Sequence, residues 1–60
     1  MDENLIGLRI KKHRLIEGIT LKELASRCNV TSSLLSQIEK GKASPSLSTL
    51  RKIAVELQTT

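Results

Sequence analysis

Residues 20 to 41, TLKELASRCNVTSSLLSQIEKG, carry two short amphipathic helix patterns separated by a turn too brief to let the helices part. Thr20 can accept from the unpaired backbone N–H groups that open the first helix, and Glu23, three residues on, can reach back to complete a capping box. Leu21, Leu24, Ala25 and Cys28 recur at i, i+3, i+4 and i+7, the spacing of one buried helix face, while Lys22, Glu23, Ser26 and Arg27 point elsewhere. Asn29 suits the left-handed conformation that ends helices, and Val30 is expected to plug the turn. A second helix starts at once, with Thr31 as its cap and Leu35 and Ile38 inward, and it stops at Gly41, which can take a positive φ. Its outward residues are Ser32, Ser33, Ser36, Gln37 and Lys40, and the only carboxylate near that face is Glu39. Each of the five alone is an ordinary polar helix residue. Together they make a surface that can hydrogen-bond base edges without repelling phosphate.

The flanks supply the rest of a core. An opening helix is predicted from Asn4 to Glu17, closing at Gly18, with Ile6, Ile10 and Arg14 on one line at i, i+4 and i+8. An arginine on a core-facing line needs a partner. After Gly41 the stretch GKASPS has loop character, and Pro45 disfavours helix at Ser44. Ser46 then caps a final helix, in which Leu47, Leu50, Ile53, Ala54 and Leu57 form an apolar stripe opposite Arg51, Lys52 and Glu56. The expected fold class is all-α, a four-helix single domain over residues 1–60, without repeats or low-complexity segments.

Composition narrows the partners. A chain of 60 residues buries only about 60% of the surface its unfolded form exposes, so marginal stability is expected. A net charge of +4 with six acidic residues and a pI near 9.7 suit a polyanionic partner but are not the dense basic tract of a non-specific binder. The absence of any aromatic residue leaves no stacking platform for single-stranded nucleic acid or RNA loops. A single cysteine cannot form an intramolecular disulfide, and no His or Cys stands beside it at metal-ligand spacing. Cys28, on the apolar face, reads as a small core residue. No apolar run approaches the ~20 residues of a membrane span, so a cytoplasmic chain with no membrane partner is expected. No nucleophile–base pair, clustered carboxylates or phosphate-cradling glycine loop is visible; no catalytic residue, cofactor or metal is assigned.

The run LASRCNVTSSLLSQIEKGKASPSLSTLRKIA resembles the helix-turn-helix domain of the phage repressor and Cro superfamily, often called the xenobiotic-response-element family. The resemblance extends from about Ile6 to Leu57. It rests on Leu24-Ala25 with Val30 five residues on, on Ser36-Gln37-Ile38-Glu39-Lys40-Gly41, and on Pro45-Ser46-Leu47 before the last helix. The segment SPSLSTLRKIA is most similar to modules fused to small-molecule-sensing cupin domains. Such a resemblance implies a lambda-repressor-like fold and an Arg–Glu pair within the domain, here Arg14 and Glu39, expected as a bidentate bridge. It also implies an apolar residue where this chain has His13, which is expected to be half-exposed. Domains of this family usually continue into a fifth helix that completes the core and often forms the dimer contact. Only Gln58, Thr59 and Thr60 follow Leu57, so the 60 residues are expected to be the N-terminal part of a longer regulator. Homodimerisation, and any small-molecule effector, would then depend on parts beyond residue 60.

The function implied is sequence-specific binding of double-stranded operator DNA by a transcriptional regulator, a repressor in preference to an activator. Residues 32 to 40 would enter the major groove, with Thr31, Ser32, Ser33, Ser36 and Gln37 as base readers. Gln37 is the best of them, because a carboxamide can pair with adenine N6 and N7 in a bidentate manner. Phosphate contacts are expected from the start of the preceding helix, at Thr20, Leu21 and Lys22, and from Lys40 and Lys42 around Gly41. The family's frequent glutamine at the first turn of that preceding helix is Leu21 here, so no relative's operator sequence can be transferred. Leu34 either leans out to a thymine methyl or sits at the rim of the core. The alternative is a protein-interaction module on the same fold, an antitoxin or bridging factor; duplex binding by the isolated domain discriminates the two.

Overall fold

The computed structural model describes residues 3–57, which form four helices and no strand: α1 (Glu3–Ile16), α2 (Leu21–Arg27), α3 (Ser32–Glu39) and α4 (Leu47–Glu56). Gln58, Thr59 and Thr60, which stand where the family usually continues into a fifth helix, lie outside the described residues. α1 begins and ends one residue earlier than the sequence pattern suggests, and α3 stops at Glu39, with Lys40 as its C-cap. Helix ends fray by about one or two residues under any definition, so neither shift changes a face.

Each of the last three helices starts on a hydroxyl. Thr20 Oγ1 accepts from Glu23 N at 3.1 Å, Thr31 Oγ1 from Leu34 N at 3.0 Å, and Ser46 Oγ from Thr49 N at 3.1 Å. The capping box at α2 is only half built. The Glu23 carboxylate turns along the helix to Arg27 at 3.2 Å instead of back to the cap, because an arginine one turn on offers a charged partner. Asn29 closes α2 with φ 62° and Gly41 closes α3 with φ 77°, the left-handed conformation each residue type tolerates. Val30 N then donates to Ala25 O at 3.0 Å, which closes the C-terminal end of α2 so that the chain turns at once into α3.

Leu24, Cys28, Leu35, Ile38 and Ile53 are fully buried, and Ile10, Ile19, Ala25 and Leu57 complete the core around them. α3 lies at the centre: α1 packs on one side of it and α2 on another, while α4 reaches the core through α2. Leu47 departs from the expected stripe, being 65% exposed. Burial falls along α4 from Leu57 and Ile53 through half-buried Leu50 to Leu47, since among the described residues the packing is concentrated on the C-terminal part of that helix.

Candidate nucleic-acid interface

α3 is held from behind by a charge pair and a close backbone contact. Arg14 Nε donates to Glu39 Oε2 at 2.7 Å and its NH2 to Glu39 Oε1 at 3.2 Å, a bidentate fork that fixes orientation as well as distance. The third nitrogen of the guanidinium donates to Ile19 O at 2.9 Å, tying the α1–α2 turn to the same point. Side-chain exposures of 11% and 5% make this a buried pair. Its geometry is of the kind that can offset desolvation, because every carboxylate oxygen and every guanidinium nitrogen has a partner. Gly7, one turn before Lys11 on α1, lies over the last turn of α3. A Cβ added there would fall inside contact distance of Ile38 O and at 2.6 Å from Glu39 O, so a hydrogen at this position is what lets the two helices approach.

With Glu39 turned inward, the free face of α3 carries no carboxylate. Thr31, Ser32, Ser33 and Gln37 are exposed, whereas Ser36 is half-buried, at the edge of a concavity shared with α1 and α2. Leu34, on the same helix, is 38% exposed. Thr31 Oγ1 accepts the α3 cap bond, which leaves the hydroxyl its donor hydrogen and one further lone pair. Among the residues assigned to phosphate, Lys22, Lys40 and Lys42 are exposed, Leu21 is half-buried and Thr20 is exposed with its hydroxyl committed to the α2 cap. The loop bearing Lys42 is tethered under α3, Lys42 N donating to Gln37 O at 2.8 Å. Two lysines thus flank the C-terminal end of α3, and one stands at the start of α2.

Two residues of this region escape a reading of the sequence alone: Gly7 and Lys11. A lone glycine inside a helical pattern is a recognisable signal of close packing, but the partner it packs against cannot be read from spacing. His13, expected half-exposed, is exposed at the mouth of an apolar groove between α1 and α4. Cys28 is buried, and desolvation, followed by the nearby Glu56 carboxylate, pushes its thiol above the ordinary value of 9.0, while Lys52 opposes them. Such a thiol is neutral and unreactive near neutrality. Among the described residues there is no cluster of His, Cys, Asp or Glu able to hold a metal, and no helix long and apolar enough to cross a membrane.

Residues 10–60 match the family model described as helix-turn-helix. The chain belongs to the helix-turn-helix family. The HTH-type transcriptional regulator SinR of Bacillus subtilis is 41% identical over 54 residues, 88% of this chain and 49% of SinR. The immunity repressor protein of Bacillus phage phi105 is 41% identical over 49 residues, 82% of this chain and 34% of the repressor. The crystal structure of the clp gene regulator ClgR from Corynebacterium glutamicum superposes with a TM-score of 0.96 at 27% identity, covering all of this chain and 64% of ClgR. This helix-turn-helix chain therefore spans about half the length of SinR and a third of the phage repressor. Within it, α2 and α3 are the helix-turn-helix pair and α3 is the helix in the recognition position.

Proposed function

We propose that this chain is the sequence-specific, double-stranded DNA-binding part of a cytoplasmic transcriptional regulator, and that it acts as a repressor. The observation that carries this reading is the free face of α3: Ser32, Ser33 and Gln37 exposed beside Lys40, with the helix's one carboxylate buried against Arg14. A surface of hydroxyls, an amide and a cation can approach base edges in the major groove, where an exposed carboxylate would meet the phosphate field. Gln37 reads a base, the serines and Thr31 add less selective contacts, and Lys22, Lys40 and Lys42 with the first turn of α2 hold the backbone. The repressor sense draws support from the name of the phage relative.

An α3 of eight residues covers one half-site, and operators of this kind are met by dimers with half-sites about 34 Å apart. Residues 1–60 are accordingly read as the DNA-binding portion of a longer homodimeric regulator, with dimerisation and any effector binding carried by parts beyond residue 60. The greater length of the relatives supports that reading. Random-sequence duplex selection, followed by titration of the recovered site at rising salt, tests the proposal. A recovered inverted repeat, bound with an affinity that falls steeply with salt, is the expected result. Failure to enrich any duplex would overturn it in favour of a protein-interaction module.

A further inference from the structure

The concavity beside α3 has a charged wall that base reading leaves unused. It occupies about 350 Å³, and Lys11 of α1 lines it together with Arg14, Leu21, Ser36, Glu39 and Lys40. Lys11 reaches this place because Gly7, one turn earlier, lets α1 lie against the last turn of α3. Both oxygens of Glu39 are taken by Arg14, so the charge left uncompensated in the concavity is that of the two ammonium groups. Lys11 and Lys40 are exposed, and neither forms an ion pair with another described residue. Like charges brought to one concave site without a counterion raise the local potential and draw an anion. The edge of the concavity is formed by Ser36, on the reading helix, and Leu21, the first residue of α2, so it opens on the side where the duplex backbone would run.

We propose that Lys11 is a phosphate-binding residue and that Lys11 and Lys40 together seat one backbone phosphate of duplex DNA in this concavity. The proposal rests on the DNA-binding reading and deepens it. It adds a contact from α1, outside the helix-turn-helix pair, that fixes the register of α3 along the groove. A phosphate held from both α1 and α3 resists rocking of the reading helix, which a contact from α3 alone would not.

The test compares Lys11→Gln with Lys12→Gln, which removes the same charge one residue along, at an exposed position that lines no part of the concavity. Affinity for the selected duplex is measured over a range of salt with wild type and both variants, beside their melting temperatures. Removing one lysine–phosphate interaction reduces the steepness of log affinity against log salt by about 0.9. Lys11→Gln is expected to show that reduction, its deficit narrowing about threefold between about 50 and about 200 mM salt, with melting unchanged. Lys12→Gln is expected to keep the wild-type slope. Equal slopes for the two variants would overturn the proposal, as would a weaker Lys11→Gln that melts lower but keeps the wild-type slope, since that pattern belongs to packing. Wild-type protein that binds no duplex overturns the DNA-binding reading itself, a result distinct from duplex binding with an unaltered Lys11→Gln slope.

Discussion

The two faces of α1 are built in opposite ways. Toward α3 it offers Gly7 in backbone contact and Arg14 in a bidentate, buried bridge, with Ile10 sealing the core between them. Toward α4 it leaves an open apolar groove of about 300 Å³, walled by Ile6, Ile10, Leu50, Ile53 and Leu57 with Arg9 and His13 at its edge. One joint is specified by directional bonds and a steric fit that admits a single arrangement; the other is specified only by apolar surface, which tolerates many. The firm joint is the one behind the reading helix. In the proposed DNA-binding reading, placement of α3 to within a fraction of an ångström decides whether the Gln37 amide meets a base edge, and that reading makes no such demand of α4.

Breaking the firm joint should therefore cost most. Arg14→Ala strands a buried carboxylate and frees Ile19 O; the expected loss is about 3 to 5 kcal/mol, a large share of what a domain of this size has. Thermal unfolding followed by circular dichroism should show the variant largely unfolded at room temperature. Melting within a few degrees of wild type would place the pair among solvated charges and remove the contrast between the two faces. Gly7→Ala comes next. Alanine favours helix by about 1 kcal/mol over glycine, so a gain would be expected if the position were open. The methyl instead meets the carbonyls of Ile38 and Glu39, and overpacking against backbone costs about 1 to 3 kcal/mol. A stabilised Gly7→Ala would mean that α1 can move away from α3 without penalty.

How much of this is legible in the sequence follows the same division. The α2–α3 pair is readable almost to the residue, because caps at Thr20 and Thr31, the turn at Asn29 and the stop at Gly41 are local chemistry. Arg14 can be seen to need a partner from its register with Ile6 and Ile10, and Glu39 as that partner comes with the family resemblance. The closeness of α1 to α3 is not legible, since a glycine announces that something approaches and not what. With it goes Lys11, whose place in the same concavity as Lys40 depends on that approach. Leu47 falls on the expected core stripe because helical period tells which face is apolar, but not how far along the helix a neighbour extends. The proposed reading residues Ser32, Ser33 and Gln37 lie exposed, as their spacing suggests, and Ser36 is half-buried, lining a concavity that Lys11 of α1 also lines.

Smaller effects sharpen the comparison. Gln37→Ala leaves the joint intact, so the fold should melt as wild type while binding to the selected site weakens by about 1 to 3 kcal/mol and preference relaxes at one base pair. A uniform weakening on all sequences would show that Gln37 is not a reader. The seam between α2 and α4 can be probed through Cys28. Its folded thiol is raised above the ordinary 9.0, so the stability linked to its protonation is fully present below that value and is lost as pH climbs through the folded one. Denaturant midpoints should fall at alkaline pH, and less so for Cys28→Ala, whose lower baseline reflects the cavity. Equal alkaline losses in the two proteins would assign the effect to other groups.

The smallest expected effect lies at the far end of the loose face. Leu47 opens α4, is 65% exposed and follows the Ser46 cap, whose hydroxyl, not the leucine, holds the first turn through Thr49 N at 3.1 Å. If α4 is anchored only by its C-terminal half, Leu47→Ser removes apolar surface that stays mostly in water, and stability should change by no more than about 0.5 kcal/mol in either direction. Ile53→Ala, on the same stripe but fully buried, should cost about 2 to 5 kcal/mol. The ratio between these two variants measures where along α4 the packing stops. Comparable losses at both positions, read from denaturant midpoints, would mean that the N-terminal turn of α4 is covered in solution and that the apolar groove against α1 is closed.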